Sequence, residues 1–488
     1  MDLDDAAQED GLTVDELVAS SSLPSSSANT AALLETFENR KLSRSLAVPT
    51  NDSDVRLRLR HLGEPTTCFA EAKVDRRERL REALVKERQK RLELRLAKGE
   101  EDDEGQEEDV RSESEEEGEQ EEEFFTEGTA DLLAARRDIA WYSLARAKAR
   151  IGIQRHEAKA SLSTIVGSRR AVFDPLRRFT SLGSQPADER PISVVRFSPD
   201  GQQLATGSWS GALKLWNVPS ASHRKDFRGH TDKLGGVAWH PRSTLGQSSS
   251  AVNLVSGAAD NKVCLWSLEK DTPLHILEGH AARVARVAFH PSGNYVASAS
   301  FDGTWRLWDL EKHKELLLQE GHAKEVYAVE FQGDGALCAS GGLDAIGRLW
   351  DLRTGRTSMV LDGHAKEILS IDFHPNGYQV ATASGDDTVR IWDLRTLSSI
   401  YTIPAHQSSV ADVRFFKGRD RLKLSTSGMY LATAGYDGLL KIWSADDWQL
   451  LRSLSGDNGK VMSCDVHPDG QFLASGDWGR TFKLWGAL

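Results

Sequence analysis

The stretch GHAARVARVAFHPSGNYVASASFDGTWRLWDL, residues 279–310, decides the fold because its pattern recurs along the chain. After the opening Gly-His come an apolar run, a Pro-Ser-Gly turn and a second run of small residues. Asp302 then precedes Trp308 by six residues. Apolar runs separated by turn residues are typical of β-strands joined in hairpins. The stretch therefore predicts a small antiparallel sheet.

Seven copies of this pattern fill the C-terminal three-fifths of the chain. Each copy ends in Leu or Ile followed by a tryptophan, and successive tryptophans lie 50, 42, 42, 42, 51 and 42 residues apart. The two long intervals contain polar insertions, near residues 246–250 and 417–427. A period of about 40–45 residues is typical of four-stranded propeller blades. The tryptophans are Trp216, Trp266, Trp308, Trp350, Trp392, Trp443 and Trp485.

These repeats resemble the WD-repeat family over residues 176–488, which implies an all-β, seven-bladed propeller. In that family a His, an Asp, a Trp and a Ser or Thr form a buried tetrad that joins the strands of one blade. We expect a structural and not a catalytic role, because no nucleophile recurs beside these residues. The expected tetrad residues are His230, Asp260, Trp266, His280, Asp302, Trp308, His322, Asp344, Trp350, His364, Asp386, Trp392, His406, Asp437 and Trp443.

The first and last repeats depart from the pattern. Ser210 and Gly479 stand six residues before Trp216 and Trp485, where the other repeats have Asp. Three residues follow Trp485, which are too few for a fourth strand. We expect residues 176–182, LRRFTSL, to supply that strand and close the ring, because closure leaves only short, protected strand edges.

The residue just before the Asp position differs among the repeats. It is Trp209, Tyr436 and Trp478 in repeats one, six and seven, which are neighbours in a closed ring. Exposed aromatic residues at a rim suit protein–protein contacts or base stacking. These three residues are therefore a candidate partner-binding arc. The alternative is that they pack against adjacent loops.

The region ahead of the repeats has a different composition. Residues 1–50 are rich in Ser, Ala and acids, which predicts disorder. Residues 54–60, DVRLRLR, alternate strictly and predict a half-buried strand. A turn and a charged helix over residues 75–98 complete a predicted strand-turn-helix unit, residues 51–98. An acidic linker follows over residues 99–128, with sixteen acids and one Arg between residues 100 and 123.

The segment VRLRLRHLGEPTTCFAEAKVDRRERLRE, residues 55–82, is similar to a short splicing-factor motif. The candidate partner-binding residues of this motif are Leu62, Gly63, Glu64, Pro65 and Phe69. Motif and repeats together resemble the pre-mRNA processing factor four family, the WD-repeat component of the U4/U6 small nuclear ribonucleoprotein. The resemblance implies a nuclear, non-catalytic scaffold in the U4/U6 and U4/U6.U5 tri-snRNP. Implied partners are other U4/U6 proteins, a cyclophilin, and U4/U6 RNA, contacted directly or through those proteins.

Residues 129–175 predict a basic, amphipathic helical segment. Leu132, Ala135 and Ile139 begin an apolar stripe, which Trp141 and Leu144 widen. Residues 130–178 hold eleven Lys and Arg against four acids. The stripe predicts docking on the propeller or on a partner, and the basic side chains could meet RNA phosphates. The candidate RNA-contacting residues are Arg146, Lys148, Arg150 and Arg155.

Composition argues against several function classes. The net charge of −12 belongs to the acidic linker, and the four cysteines are scattered without metal-ligand spacing. No apolar window approaches the length of a membrane span.

We expect no enzyme activity, cofactor or small-molecule substrate, since no phosphate-binding loop or metal set appears. The alternative function is a substrate adaptor of a ubiquitin ligase or chromatin complex. The His-Pro pairs, interpreted as turns, are at His240, His290, His374 and His467.

Overall fold

The computed structural model describes residues 52–66, parts of 76–90, and residues 128–418, 427–456 and 459–487. The chain divides into two compact units, residues 1–121 and 122–488. In the described ranges, no helix combines the length and the apolar character that a membrane crossing requires. The predicted disorder of residues 1–50 and the acidic linker up to residue 127 lie outside the described residues.

The strands in the described ranges form seven four-stranded antiparallel sheets, which confirms the predicted seven-bladed propeller. In each blade the strand nearest the central axis is largely buried, because it packs against its neighbours on both sides. Blade one contains β2 Ile192–Phe197, β3 Gln203–Ser208, β4 Leu213–Asn217 and β5 His223–Phe227. Blade two contains β6 Leu234–Trp239, β7 Leu254–Ala258, β8 Val263–Trp266 and β9 His275–Leu277. Blade three contains β10 Val284–Phe289, β11 Tyr295–Ser300, β12 Trp305–Asp309 and β13 Lys314–Gln319.

The remaining blades repeat the same order from the axis outward. Blade four contains β14 Val326–Phe331, β15 Leu337–Gly342, β16 Ile346–Asp351 and β17 Thr357–Asp362. Blade five contains β18 Ile368–Phe373, β19 Gln379–Ser384, β20 Val389–Asp393 and β21 Ser398–Ile403. Blade six contains β22 Val410–Phe415, β23 Tyr430–Gly435, β24 Leu439–Ser444 and β25 Leu450–Ser455. Blade seven contains β26 Val461–Val466, β27 Phe472–Asp477 and β28 Thr481–Ala487.

Ring closure comes from a strand that precedes the first repeat, as the sequence predicts. Strand β1, Phe179–Pro186, pairs antiparallel with β28 and forms the outermost strand of blade seven. The pairing runs from Phe179 opposite Ala487 to Pro186 opposite Thr481. The strand begins three residues later than predicted, because residues 176 and 177 end a helix. Blade seven is thus assembled from both ends of the described propeller.

The predicted strand over residues 54–60 is wrong, because this segment is helix α1, Asp52–His61. Val55 and Leu59 are buried and pack with Leu80, whereas Leu57 is half exposed. The alternation of Arg and Leu fits a period of two, but apolar positions four residues apart also fit a helix. Both Arg and Leu are good helix formers, and the helix places Val55 and Leu59 on one side, where they contact Leu80. The described residues between 76 and 90 are helical, as predicted.

Two further helices pack on the propeller. Helix α2, Ala130–Glu157, starts where the Thr129 side chain accepts a hydrogen bond from the Leu132 backbone N–H. Leu132 and Ile139 of α2 enter the core of blades three and four. Helix α3, Leu162–Arg177, buries Leu176 against blades six and seven. The predicted docking segment therefore consists of two helices that are held by the propeller.

Candidate functional site: the two faces of the propeller

Five blades contain the hydrogen-bonded tetrad that the sequence predicts. In blade three, His280 Nδ1 lies 2.8 Å from the Asp302 carboxylate, and His280 Nε2 lies 2.6 Å from Ser298 Oγ. The Trp308 indole N–H donates to the same hydroxyl over 2.8 Å. The sequence analysis did not assign the hydroxyl partners, which lie ten residues before each tryptophan. They are Ser256, Ser298, Ser340, Thr382 and Thr433.

Blades one and seven keep only the hydrogen bond between the tryptophan and the hydroxyl group. Trp216 donates to Thr206 and Trp485 donates to Ser475, each over 2.9 Å. In blade one, Asp188 accepts a hydrogen bond from Ser210 and lies 3.3 Å from Lys214. These are the two blades on either side of the closure.

The His-Pro turns connect neighbouring blades, which the sequence analysis missed. His290 Nε2 lies 2.9 Å from the Gly335 carbonyl of the next blade, and His374 Nε2 lies 2.8 Å from the Gly428 carbonyl. His467 makes the same contact to Gly201 across the closure. A Cβ on Gly201 would meet this imidazole at 2.1 Å, so the turn requires glycine. Burial lowers the pKa of His290 and of His374 to about 4.

A buried charge network fills the central channel. Arg196 of blade one donates to Asp412 of blade six over 3.1 Å and to Ser463 of blade seven over 3.0 Å. Arg414 donates to Glu330 over 2.9 Å. Burial opposes ionisation of Asp412, yet Arg196 and Arg414 hold the pKa of that carboxyl below its usual range. The network therefore joins the two ends of the ring at its centre.

Two further carboxylates complete this network. Lys417 lies 2.5 Å from Asp372, and the backbone N–H of Phe197 donates to Asp465 over 2.7 Å. Burial raises the pKa of both Asp372 and Asp465. The sequence signal that could have found this network is a charged residue at the second-to-last position of an innermost strand, as at Asp372 and Asp465.

One face of the propeller, here called the helix face, bears the turns that follow each innermost strand, and α2 crosses it. Tyr142 Oη donates to the Pro291 carbonyl over 2.8 Å, and Arg150 Nε lies 2.7 Å from Asp334. Arg150 also donates to the Asn376 carbonyl over 2.7 Å. Between α2 and the channel lies a cavity of about 220 Å³, which Arg146 and Arg150 line. The inner side of α2 therefore lines one side of the cavity at the channel mouth.

The four candidate RNA-contacting residues fall into two groups. Arg150 is engaged with Asp334, and the Arg146 guanidinium lies 5.2 Å from the centroid of the Tyr142 ring. Lys148 and Arg155 are exposed on the outer side of α2. Trp141 and Leu144, which the sequence analysis placed in the docking stripe, are 79% and 57% exposed. That placement is wrong, because the docked side is defined by Leu132, Ala135, Ile139 and Ser143.

The opposite face, here called the Asp-turn face, carries the predicted aromatic arc. The rings of Trp209 and Trp478 meet edge to face with centroids 4.8 Å apart, and Trp478 is 44% exposed. Lys460 connects the arc, since its ammonium lies 5.0 Å from the Tyr436 ring centroid and 5.8 Å from that of Trp478. Burial raises the pKa of Tyr436 to about 12.

Cationic side chains extend this arc, and the sequence analysis missed them. Lys233 lies 5.0 Å from the Trp209 ring centroid, and the Arg283 guanidinium lies 3.6 Å from that of Phe301. Lys233, Arg283 and Lys460 each stand just before an innermost strand. The Lys460 backbone carbonyl accepts a hydrogen bond from the Trp478 N–H, and the Arg283 carbonyl accepts one from the Phe301 N–H. The Asp-turn face therefore presents paired aromatic and cationic groups from blades six, seven, one, two and three.

The motif residues ahead of the propeller form the end of α1. Gly63 has a φ of +74°, and the Glu64 backbone N–H donates to the Leu59 carbonyl over 2.9 Å, which is a glycine-terminated helix end. Leu62 packs against the small core of α1, while Glu64 and Pro65 are exposed. Phe69 lies outside the described residues.

Comparison with family models identifies two kinds of match. The model "pre-mRNA processing factor 4 (PRP4) like" matches residues 55–83. The model "WD domain, G-beta repeat" matches seven segments, which together cover more than half of the chain. They are residues 179–217, 221–267, 271–309, 314–351, 355–393, 397–444 and 448–486.

Several curated proteins are similar in sequence. The U4/U6 small nuclear ribonucleoprotein PRP4 of Saccharomyces cerevisiae is 39% identical over 466 residues, which is 94% of this chain and 95% of that protein. The mouse U4/U6 small nuclear ribonucleoprotein Prp4 is 44% identical over 229 residues, 47% of this chain and 42% of that protein. An uncharacterised WD repeat-containing protein of Schizosaccharomyces pombe is 42% identical over 259 residues, 53% of each chain. The chain spans about half the length of the mouse and S. pombe proteins that it matches.

Proposed function

This chain belongs to the Prp4 family of WD-repeat proteins, and we propose on that basis that it is a non-catalytic scaffold of pre-mRNA splicing. The observation that carries the proposal is the order of its parts. A PRP4-like motif at residues 55–83 precedes seven repeats, and similarity to the S. cerevisiae U4/U6 protein extends over nearly the whole of both chains. Propellers alone occur with many functions, so the motif is the discriminating element.

The geometry supports a binding role in place of catalysis. The recurring His and Asp residues are hydrogen-bonded to each other within the tetrads, where the side chains of His230, His364 and His406 are 0% exposed. A buried imidazole that is bonded at both nitrogens cannot reach a substrate. Among the described residues, no group of three or more His, Cys, Asp or Glu is arranged to hold a metal ion.

We assign protein binding to two surfaces. The arc of Trp209, Tyr436 and Trp478 presents half-buried aromatic rings beside Lys460, and such residues dominate the energy of many protein interfaces. The second surface is the exposed turn Glu64-Pro65 after α1. The proposed partners are other U4/U6 proteins, among them a cyclophilin, together with U4/U6 RNA that is held directly or through those proteins. The proposed location is the nucleus.

The direct test is purification of the tagged full-length chain followed by sequencing of the RNA that co-purifies. We expect U4 and U6 RNA to be enriched over other small nuclear RNAs. Enrichment of ubiquitin-ligase or chromatin subunits without U4 and U6 would overturn the proposal in favour of the adaptor function.

A matched pair of variants tests the motif in the same assay. Gly63→Val places a branched residue at a φ of +74°, which disrupts the end of α1. Gly246→Val adds the same side chain at a loop position with no atom within 4 Å of the new Cβ. We expect U4 and U6 recovery to fall with the first variant and to persist with the second. Equal recovery would remove the motif from the proposal.

A further inference from the structure

The outer side of α2 carries an apolar and basic stripe that the propeller does not use. Besides Ala130, the first residue of the helix, seven residues of α2 fall within an arc of about 80° when placed at 3.6 residues per turn. This arc, here called the outer stripe, lies opposite the docked side that contains Leu132 and Ile139. Its residues are Leu133, Arg137, Trp141, Leu144, Lys148, Ile151 and Arg155.

The apolar residues of the outer stripe are unusually exposed to solvent. Trp141 is 79% exposed, Leu144 is 57%, Leu133 is 51% and Ile151 is 41%. From residue 137 onward the stripe repeats every three and four residues, which is the spacing through which helices pair side by side. It spans residues 133–155, about 33 Å of helix. A row of apolar residues at this spacing marks a surface that another helix covers.

The charges of the outer stripe define the chemistry of that helix. Arg137, Lys148 and Arg155 are exposed between the apolar positions. The carboxylates of α2 lie off the arc, where Asp131 pairs with Lys312 at 2.6 Å and Asp138 accepts from Tyr295 at 3.4 Å. A complementary surface must therefore supply both acidic and apolar groups.

The acidic segment of this chain does not meet that requirement. Residues 100–123 contain sixteen acids but only one aliphatic residue, Val110. Phe124 and Phe125 follow this segment. The five residues from Phe125 to Ala130 span at most about 17 Å, whereas Ile151 lies about 31 Å from Ala130 along α2, so neither ring can cover Ile151. RNA would neutralise the cations but leave Leu133, Leu144 and Ile151 uncovered.

We propose that the outer stripe of α2 binds an acidic amphipathic helix of a partner protein. In the complex, apolar side chains of the partner cover Trp141 and Leu144, and its carboxylates pair with Lys148 and Arg155. The inner side of α2 stays on the propeller, so α2 joins the partner to the helix face. This surface is separate from the Trp209 and Trp478 arc.

Photocrosslinking from the outer stripe tests this proposal. The full-length chain is produced in cells with benzoylphenylalanine in place of Leu144 and, as the matched control, of Leu245, an exposed leucine of blade two. After irradiation, mass spectrometry maps the peptide that is joined to each position. We expect position 144 to join a segment of another protein in which acidic and apolar residues alternate at spacings of three and four.

Charge reversal separates specific docking from incidental contact. Lys148→Glu with Arg155→Glu should lower the adduct yield at position 144 by about tenfold, whereas Lys148→Arg should preserve it. The melting temperature should stay unchanged, because both side chains are exposed. An adduct to RNA, to residues 1–127 of the same chain or to a basic segment would overturn the proposal. So would a yield no higher than that of the Leu245 control.

Discussion

The two faces of the propeller use charged residues in opposite ways. On the helix face Arg150 is bound to Asp334, and in the channel beneath α2 Arg196 is bound to Asp412, so each cation is largely buried with a carboxylate. On the Asp-turn face, the exposed Lys460 lies over aromatic rings. Similar residue types in the same repeat framework therefore have different roles. A cation buried beneath α2 or in the channel holds the molecule together, whereas the exposed Lys460 on the Asp-turn face is available to a partner.

Removal of the closing strand should have the largest effect on this architecture. Three deletions separate its parts: residues 1–127, residues 1–178, which also removes α2 and α3, and residues 1–186, which also removes β1. We expect the third to lower the melting temperature by about 10 °C or more, because β28 loses its partner strand and Phe179 leaves the core. Circular dichroism during heating measures it. Equal melting of the second and third deletions would show that β1 does not close the ring.

Loss of one buried cation should have the next largest effect. Arg196→Met leaves Asp412 in the channel without its partner from blade one, which should reduce the free energy of unfolding by about 3–5 kcal/mol. Lys460→Met makes the same change on the Asp-turn face and should alter stability by less than about 0.5 kcal/mol. Denaturant unfolding compares the two. Similar losses would erase the distinction between the faces.

Reversal of one α2 charge should have a smaller effect. Arg150→Glu places a carboxylate beside Asp334 and should reduce the free energy of unfolding by about 2 kcal/mol, since a partly buried charged hydrogen bond becomes a repulsion. Lys148→Glu, two residues away and exposed, is the control and should leave stability unchanged. Hydrogen exchange of α2 amides localises the change. Faster exchange should be confined to Arg150→Glu.

The inter-blade histidines should make stability depend on pH. The pKa of His290 and of His374 is lowered to about 4 by burial, below the usual value near 6.5, so the unfolded chain binds more protons between these values. Stability should therefore fall as the pH falls below about 6.5, by about 1 kcal/mol for each histidine between pH 7 and pH 5.5. Gln332 makes the equivalent contact in blade four, so His290→Gln with His374→Gln should flatten this slope. An unchanged slope would exclude these two residues as its source.

Truncation of the aromatic arc should have the smallest effect on folding. Trp478→Ala with Trp209→Ala removes rings at the rim of the Asp-turn face, and we expect a loss of stability of about 1 kcal/mol or less. Recovery of partner proteins in the affinity purification should fall at the same time. The control is Ile400→Ala, an exposed residue of the outermost strand of blade five. Undiminished recovery would place the partner elsewhere.

Sequence alone determined the repeat, its count and its closure. Within one blade the tetrad residues recur at nearly fixed spacing, as when Trp308 follows Ser298 by ten residues, so the local pattern specifies the contact. The position of the aromatic arc also followed, because Trp209 and Trp478 occupy the same place in repeats that meet at closure.

Tertiary structure alone decided the contacts between distant segments. The alternating DVRLRLR stretch suits a strand or a helix, and packing of Val55 and Leu59 on Leu80 selects α1. Helix α2 has apolar residues on two sides, and only the shape of blades three and four determines that Ile139 is covered while Trp141 is not. Arg196 meets Asp412, 216 residues away, because the ring brings blades one and six together across the channel. Such pairs have no fixed spacing along the chain, so no local pattern predicts them.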